Sequence, residues 1–280
     1  MSLQPSRPEL GARLDHLCLR SPDPERLARF FERGFGMAAS PIGARWQCQA
    51  PERHVLIELG AANKTAFFAY AFATTARLDA FKASLSRHSV AIQPNPTPLF
   101  DANAFAVSDP DGNVVAFGTA RFAAASEALS ARLQHIVFRS PNIDAMVAFY
   151  STVLGFTVSD RVKDEGGVLR ACFMRTDVEH HALAVFRAPE ARLDHHSYET
   201  GDWNDIRRWA DYLAERRIPI FWGVGRHGPG DDLFFMVKDP DDNLVEISAE
   251  IEQCAIDRPE GLWPHEQRTL NVWGQAIMRS

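Results

Sequence analysis

The two halves of this chain repeat each other, and the repeat constrains the fold more than any other feature of the sequence. Leu14-Asp15-His16 resembles Leu133-Gln134-His135, and the turn at 109–113 (DPDGN) resembles the turn at 239–243 (DPDDN). Equivalent residues are 119 positions apart at the first match (His16 and His135) and 130 apart at the second (Asp109 and Asp239). The copies therefore differ by insertions within loops, and we expect two similar domains.

Each half contains two units in which a strand is followed by a helix and then by further strands. LQHIVFRS alternates as a strand does, whereas IDAMVAFYSTVLGF and WNDIRRWADYLAERR have the apolar spacing of helices. Asn142 is a plausible N-cap of the first of these helices, and Gly155 is a plausible stop. LFFMV and LVEIS flank the turn at 239–243 and predict a hairpin. The pattern predicts an α+β fold of two tandem domains, each made of two βαβββ units that form an open, incomplete barrel.

The repeat also sets the domain boundaries that we expect. The first domain is predicted at residues 1–125 and the second at residues 126–252. An irregular C-terminal tail is predicted at 253–280, where two prolines and the side chains of Trp263 and Trp273 break the pattern. We expect this tail to pack across a domain, because exposing both tryptophans would leave a large apolar surface in water.

Composition and charge exclude several classes of protein. The chain has 280 residues, 46% of them hydrophobic, and a formal net charge of -6 without long runs of like charge, which argues against a nucleic-acid or anionic-membrane partner. The opening MSLQPSRPELGARL lacks the features of a signal peptide, and no stretch is apolar enough to span a membrane. The four cysteines have no CxxC spacing, so neither a zinc knuckle nor a disulfide framework is indicated. A cytoplasmic location is expected.

Three residues of the second half have the side chains of a metal site. His135, His195 and Glu246 each lie in a predicted strand, and two histidines with one carboxylate can hold Fe(II) while leaving positions open. A single strand histidine is more often a packed residue than a ligand, so the three must be considered together. In the first half, Phe67 and Ala116 stand at the positions of His195 and Glu246. We therefore predict one metal site, in the second domain only.

Two neighbouring histidines require a choice between alternatives. His196 adjoins His195, and the strand register favours His195 as the ligand. His16 matches His135 in the repeat, but it lacks the two partners that the second half offers. A structural role is therefore expected for His16.

The stretch GVGRHGPGDDLFFMVKDPDDNLVEIS carries a resemblance to a known family. It resembles the type I extradiol dioxygenases of the vicinal oxygen chelate superfamily, which include catechol and dihydroxybiphenyl dioxygenases, and the similarity extends over nearly the whole chain. The resemblance implies Fe(II), with Mn(II) possible, on His135, His195 and Glu246. It also implies a small aromatic diol and O2 as substrates, and a homo-oligomer.

The same resemblance implies two catalytic histidines. His180, fifteen residues before His195, matches the residue that contacts oxygen and handles protons, with the adjacent His181 as the less favoured candidate. His227, nineteen residues before Glu246, matches the histidine that hydrogen-bonds a substrate oxygen. Histidine suits both roles because its ordinary pKa is near neutrality.

One family residue is missing from this sequence. The family has a tyrosine nine residues after the position of His227, where this chain has Met236, and a thioether cannot donate a hydrogen bond. Tyr198 is out of phase with His195 and is expected to face away. Met236 therefore keeps open a second function, a metal-dependent isomerase, lyase or hydrolase of the same superfamily. A third class, a protein that binds an aromatic ligand without turnover, is disfavoured by the tandem domains and the complete triad.

Overall fold

The computed structural model describes residues 10–119 and 129–278. The expected boundary between residues 125 and 126 lies outside the described residues, as do residues 1–9 of the opening segment MSLQPSRPELGARL. Within the described ranges, no helix is long and apolar enough to cross a membrane.

The first half forms one eight-stranded sheet with two helices. Its elements are β1 (Ala12–Ser21), α1 (Pro24–Phe35), β2 (Ala38–Ile42), β3 (Arg45–Ala50), β4 (Arg53–Leu59), β5 (Lys64–Phe72), α2 (Thr75–Leu85), β6 (Gln93–Pro94), β7 (Phe105–Ser108) and β8 (Val114–Thr119). A 3-10 turn at Ser86–His88 follows α2. The strands lie in the order β2-β3-β4-β1-β5-β8-β7-β6.

The second half repeats this arrangement and adds a ninth strand from the tail. Its elements are β9 (Arg132–Ser140), α3 (Ile143–Ala148), β10 (Thr157–Lys163), β11 (Leu169–Arg175), β12 (Leu183–Arg187), β13 (Arg192–Thr200), α4 (Trp203–Glu215), β14 (Ile220–Arg226), β15 (Leu233–Lys238), β16 (Leu244–Ala249), β17 (Gly261–Pro264) and α5 (Gln267–Leu270). The strands lie in the order β14-β15-β16-β13-β9-β12-β11-β10-β17.

Strand pairing confirms the predicted two βαβββ units in each half. The first strands of the two units pair antiparallel, as β1 with β5 and β9 with β13. Each first strand also pairs in parallel with the last strand of a unit, as β9 with β12 and β13 with β16. Neither sheet closes on itself, so the α+β fold with open barrels is confirmed. The predicted hairpin of β15 and β16 is present as well.

The helix after β9 is shorter and less regular than the sequence predicts. The α-helical part ends at Ala148, and Phe149–Val153 is wound as a π-helix before Gly155, whose positive φ of 79° ends the segment. Asn142 occupies the N-cap position without a side-chain cap, and its backbone N–H instead donates to Ser140 Oγ at 2.9 Å. Apolar periodicity located the helix, but it does not distinguish α from π winding.

A continuous apolar core joins the two halves on the side of the sheets that carries the helices. Phe68 and Phe138 meet across the domains with ring centroids 5.1 Å apart. The Tyr70 hydroxyl donates to the carbonyl of Ala182 at 3.0 Å. Helix α4 contributes Trp209, which is fully buried. Because the helices cover this face, the opposite face of the second sheet is left to form a cavity.

The tail is more ordered than the predicted irregular segment. Strand β17 pairs in parallel with β10 and extends the sheet. Trp263 donates its indole N–H to Asp160 Oδ2 at 2.7 Å and packs against the apolar residues of the cavity side, as expected. Trp273 is instead 52% exposed and lies edge-on to Trp203. Hydrogen bonds to β10 therefore hold the tail across the second domain.

Candidate metal centre

Three adjacent strands place the predicted metal ligands on one face of the second sheet. Ser197 on β13 lies directly opposite His135 on β9 and opposite Glu246 on β16. Residues opposite each other in a sheet point to the same face, and His195, two residues before Ser197, points that way too. His196 points to the helix-covered face, where its ring lies 6.0 Å from that of Phe31.

The three ligand side chains converge within the protein. His135 Nε2 lies 3.3 Å from His195 Nε2 and 3.2 Å from Glu246 Oε1. His135 and His195 are 1% and 5% exposed, and Glu246 is fully buried. These three residues form a group whose ligand atoms all lie within 4.8 Å of one another. The structure thus brings together the set that the sequence predicted.

Neighbouring side chains determine which histidine nitrogen faces the centre. The amide nitrogen of Gln134 donates to the carbonyl of His181 at 2.7 Å, so the amide oxygen faces His135 Nδ1, 2.5 Å away. His195 Nδ1 lies 2.7 Å from Asp194 Oδ1, a carboxylate that also accepts from Arg139 at 2.7 Å. Both Nδ1 atoms therefore carry the proton, and both Nε2 atoms face the centre as lone pairs.

This arrangement fits a divalent metal ion. Metal–nitrogen bonds of about 2.1 Å at right angles place two nitrogens about 3 Å apart, close to the observed separation. Within the described chain, neither carboxylate oxygen of Glu246 has a hydrogen-bond partner of good geometry. Burial raises the pKa of this carboxyl, but its contacts with His135 and His227 hold the pKa well below the usual range. Two neutral imidazoles and a carboxylate on one face are the donor set of a non-haem iron site.

A narrow cavity lies beside the two histidines of this group, His135 and His195. Its volume is about 20 Å³, on the scale of a single water molecule. Its walls are mainly apolar, and two residues of the tail help to close it. The lining residues are His135, Val137, Phe173, His181, Phe186, His195, His227, Pro229, Met236, Thr269 and Leu270.

His181, and not the predicted His180, lines this cavity. The His181 ring lies 4.4 Å from the ring of His135, between centroids. His180 is fully buried behind it, with Nε2 3.1 Å from Asp160 Oδ2. The backbone bends at His180, and of the two histidines only His181 lines the cavity beside the ligands. This placement favours His181, the less favoured candidate of the sequence, over His180 as the residue beside the centre.

His227 approaches the centre from β14, as the sequence predicted. Its Nδ1 donates to the carbonyl of Leu270 at 2.6 Å, and its Nε2 lies 3.5 Å from Glu246 Oε2. The ring stacks on Phe234 at 3.8 Å with an interplanar angle of 3°. Burial lowers the pKa of His227, but the charge of Asp232 and the contact with Glu246 outweigh it, so that the pKa is raised. A charged His227 can donate a hydrogen bond from Nε2.

Several residues of the site were not identified from the sequence. Gln134 and Asp194 orient the two histidine ligands, and each directly precedes its histidine, a pattern that Asp15-His16 shares. Asp232 is fully buried beside His227, and neither carboxylate oxygen has a hydrogen-bond partner among the described residues. Asp231 and Asp232 are adjacent in the sequence, and no local pattern shows which of the two is buried.

Met236 and Tyr198 lie where the sequence predicted. Met236 lines the cavity and pairs with Glu246 across β15 and β16. Tyr198 lies on the opposite face, packed against Phe35 with ring centroids 5.4 Å apart. No tyrosine lines the cavity within the described ranges.

The equivalent position in the first domain has a different environment. His16 is fully buried, and its Nε2 lies 2.7 Å from Thr97 Oγ1. Its ring meets Phe67 and Phe100 edge-on, at 5.9 and 4.7 Å. Among the described residues, the groups able to hold a metal ion do not include His16. Hydrogen bonding and aromatic packing thus account for its burial.

Tandem pairs of βαβββ units with a polar site on one sheet face define a recognisable class of protein. A family model described as the Glyoxalase/Bleomycin resistance protein/Dioxygenase superfamily matches residues 13–117 and 132–247. The chain belongs to this superfamily.

Curated relatives of the chain include ring-cleaving dioxygenases. It is 29% identical to metapyrocatechase 2 of Cupriavidus necator over 151 residues, which are 53% of this chain and 46% of that protein. It is 29% identical to biphenyl-2,3-diol 1,2-dioxygenase 3 of Rhodococcus globerulus over 161 residues, 52% of this chain and 77% of that one. The match therefore spans less than half of the length of the metapyrocatechase.

Solved structures share the fold over almost the whole chain. Homoprotocatechuate 2,3-dioxygenase from Brevibacterium fuscum, in its complex with 3,4-dihydroxyphenylacetate, has a TM-score of 0.81 at 20% identity, covering 99% of this chain and 93% of that one. The Mn(II)-bound glyoxalase from Novosphingobium aromaticivorans has a TM-score of 0.78 at 24% identity, covering 96% and 93%. At these identities the similarity establishes the fold.

Proposed function

We propose that this chain is an extradiol dioxygenase that cleaves a catechol-type aromatic diol with O2 at a mononuclear non-haem Fe(II) site. The observation that carries the proposal is the convergence of two unprotonated imidazole nitrogens and one carboxylate, from His135, His195 and Glu246. Mn(II) accepts the same ligands. Curated relatives with ring-cleaving names support the choice of reaction.

The side chains around the centre have distinct tasks in this reaction. When bound, a divalent metal would act as a Lewis acid that favours the anionic form of the diol. It would also offer a coordination position for O2. His227 donates from Nε2 and orients a substrate oxygen. His181, rather than His180, takes up a proton from the diol and returns it to the substrate ring, because His181 lines the cavity. Apolar walls, including Phe173, exclude water from the reacting atoms.

Oxygen consumption tests this proposal. The protein is loaded with Fe(II) without air, mixed with a panel of monocyclic and bicyclic catechols, and exposed to O2 in an oxygen electrode. We expect uptake of one O2 per diol and a coloured ring-opened product. A Glu246→Gln variant, which removes the negative ligand, is expected to lose this activity. If no catechol supports oxygen uptake by the Fe(II)-loaded wild type, the proposal fails.

Met236 favours a second candidate, a metal-dependent isomerase, lyase or hydrolase of the same superfamily. A thioether in the cavity cannot supply the hydrogen bond that a tyrosine hydroxyl would. Such an enzyme would work with Zn(II) or Ni(II) and without O2. Turnover of a carbonyl substrate under those conditions, with no oxygen uptake by the Fe(II) form, would favour this second candidate.

The remaining assignments follow from the expected chemistry and charge. The proposed partners are a small aromatic diol and O2, with neither nucleic acid nor membrane, since the formal net charge is -6. A cytoplasmic location and a homo-oligomeric state are part of the same proposal. Size-exclusion chromatography with light scattering measures the oligomeric state directly.

A further inference from the structure

A row of buried polar side chains extends from the cavity towards the tail. His181 lines the cavity, and its Nδ1 lies 3.0 Å from His180 Nδ1. His180 Nε2 in turn lies 3.1 Å from Asp160 Oδ2. The exposed fractions are 3% for His181 and 0% for both His180 and Asp160. The two short contacts therefore place the three groups in one row.

The acidic end of this row determines where His180 carries its proton. Asp160 accepts hydrogen bonds from Arg258 at 2.8 Å and from Trp263 at 2.7 Å. Burial raises the pKa of Asp160, but the close contact with His180 and the hydrogen bond from Arg258 outweigh it and lower the pKa to about 2. The carboxylate can therefore only accept, and a second one, Glu252 Oε2, lies 4.0 Å from the same His180 nitrogen.

The contact between His180 and Asp160 is bent, since Nε2 makes no hydrogen bond of good geometry with a described residue. Two negative groups near one nitrogen still favour a proton at that nitrogen. In its neutral form His180 has one ring proton, and with that proton on Nε2 its Nδ1 is an acceptor. The 3.0 Å contact between the two Nδ1 atoms then requires His181 to be the donor. Its remaining nitrogen, Nε2, carries no proton.

We propose that His180 and Asp160 are positioning residues that fix the tautomer of His181, so that its Nε2 serves the cavity as a proton acceptor. A carboxylate that selects a histidine tautomer through Nδ1 is familiar from hydrolase triads, and here a second histidine relays the selection. The identity of the proton donor, an aromatic diol, rests on the proposed function. The tautomer of His181 does not depend on the proposed function, and it can be measured in the metal-free protein.

The proton positions are measured by long-range ¹H–¹⁵N correlation of the histidine rings in metal-free, ¹⁵N-histidine-labelled protein. Recording at pH 8 keeps an ordinary histidine, with a pKa of about 6.5, neutral. The His181 signals are assigned by their loss in a His181→Asn variant. For the wild type we expect a protonated Nδ1 and an unprotonated Nε2 on His181.

A nearly isosteric pair of variants separates the hydrogen bond from the packing. His180→Asn offers an amide oxygen near the position of Nδ1, whereas His180→Leu has a similar volume and no polar atom. We expect the asparagine variant to keep the His181 tautomer and the leucine variant to shift it towards a protonated Nε2. Trp263→Phe is the control, because it removes another hydrogen bond of Asp160 and leaves His180 in place.

Kinetics with the catechol that the oxygen-uptake panel identifies give a second readout. His180→Leu is expected to lower kcat at least about tenfold with little change in KM, since the base is misplaced while diol binding is not. His180→Asn is expected to recover most of this loss. If His180 had only a structural role, His180→Asn and His180→Leu would have the same kcat, provided that both fold equally well by circular dichroism.

The outcomes distinguish this inference from the proposed function. A protonated Nε2 on His181 in the wild type, or an unchanged tautomer in a folded His180→Leu variant, would overturn the inference even if catechols are cleaved. The expected tautomers without any oxygen uptake would leave the positioning roles in place and remove the dioxygenase assignment. If His180→Leu does not fold, the wild-type spectrum decides alone.

Discussion

At the scale of single residues, each of the two predicted histidine ligands is held by the residue before it. Gln134 holds His135 and Asp194 holds His195, in each case through Nδ1. Adjacent residues of a regular strand face apart, but the pairing of β9 with β13 skips Gln134 and Asp194, so each lies at a β-bulge that turns its side chain towards the next histidine. The proton is thereby fixed on the nitrogen that faces away from the metal position.

Removing one of these supports should weaken metal binding without abolishing the site. Asp194→Asn replaces two acceptor oxygens by one, so His195 and Arg139 compete for it. We expect the affinity for Fe(II) to fall about tenfold to a hundredfold, measured by anaerobic competition with a chromophoric chelator. Asp15→Asn, the matched change beside His16, is expected to leave the affinity unchanged. Equal losses in both variants would contradict this role for Asp194.

The pair His180 and His181 marks the limit of residue-level prediction. His180 and His181 are identical neighbours in an irregular segment, so residue type does not distinguish them. Their distances along the chain to His195 differ by only one residue, so the spacing does not distinguish them either. The backbone path decides, because the N–H of His180 donates to the carbonyl of Glu252 at 2.9 Å and ties that residue to the tail side. This contact joins segments far apart in the chain and leaves no local pattern.

At the scale of elements, the tail completes the site that the strands begin. Thr269 and Leu270 close one wall of the cavity, and the carbonyl of Leu270 accepts the proton of His227 Nδ1. The sequence indicated that the tail packs on a domain but not that it contains a strand. Strand β17 has only four residues, and its partner β10 lies about a hundred residues earlier in the chain. So short a strand has no periodic pattern from which it could be predicted.

The side chain of Leu270 should limit the size of the diol. The cavity holds about 20 Å³, so a ring enters only if this wall moves or becomes smaller. In a Leu270→Ala variant, the lost methyl groups are expected to lower KM for bicyclic relative to monocyclic catechols, severalfold in the ratio. The backbone carbonyl that holds His227 is unchanged by this substitution. Steady-state kinetics with matched diols measure the ratio, and no change would show that another element sets the size limit.

At the scale of the whole molecule, the two domains share one strand and helix arrangement but differ in the side chains on the sheet face opposite the helices. The strand registers place Phe67 opposite Cys18 and His195 opposite Val137, at equivalent positions of the two sheets. Phe67 and Ala116 are buried apolar residues, so the first domain packs a core where the second has ligands. The repeat made the two-domain α+β fold predictable, because strand order, turns and helices recur in register. The packing of the domains on each other had no comparable signal.

One metal ion per chain is proposed, at His135, His195 and Glu246. Isothermal calorimetry of an anaerobic Fe(II) titration tests this site most directly, on the wild type and on a matched pair of variants. His135→Asn and His16→Asn change histidines at equivalent places in the two domains. We predict one site per chain for the wild type and for His16→Asn, and no comparable site for His135→Asn. A wild type that binds no metal, or a His135→Asn variant that binds it as the wild type does, would contradict the account.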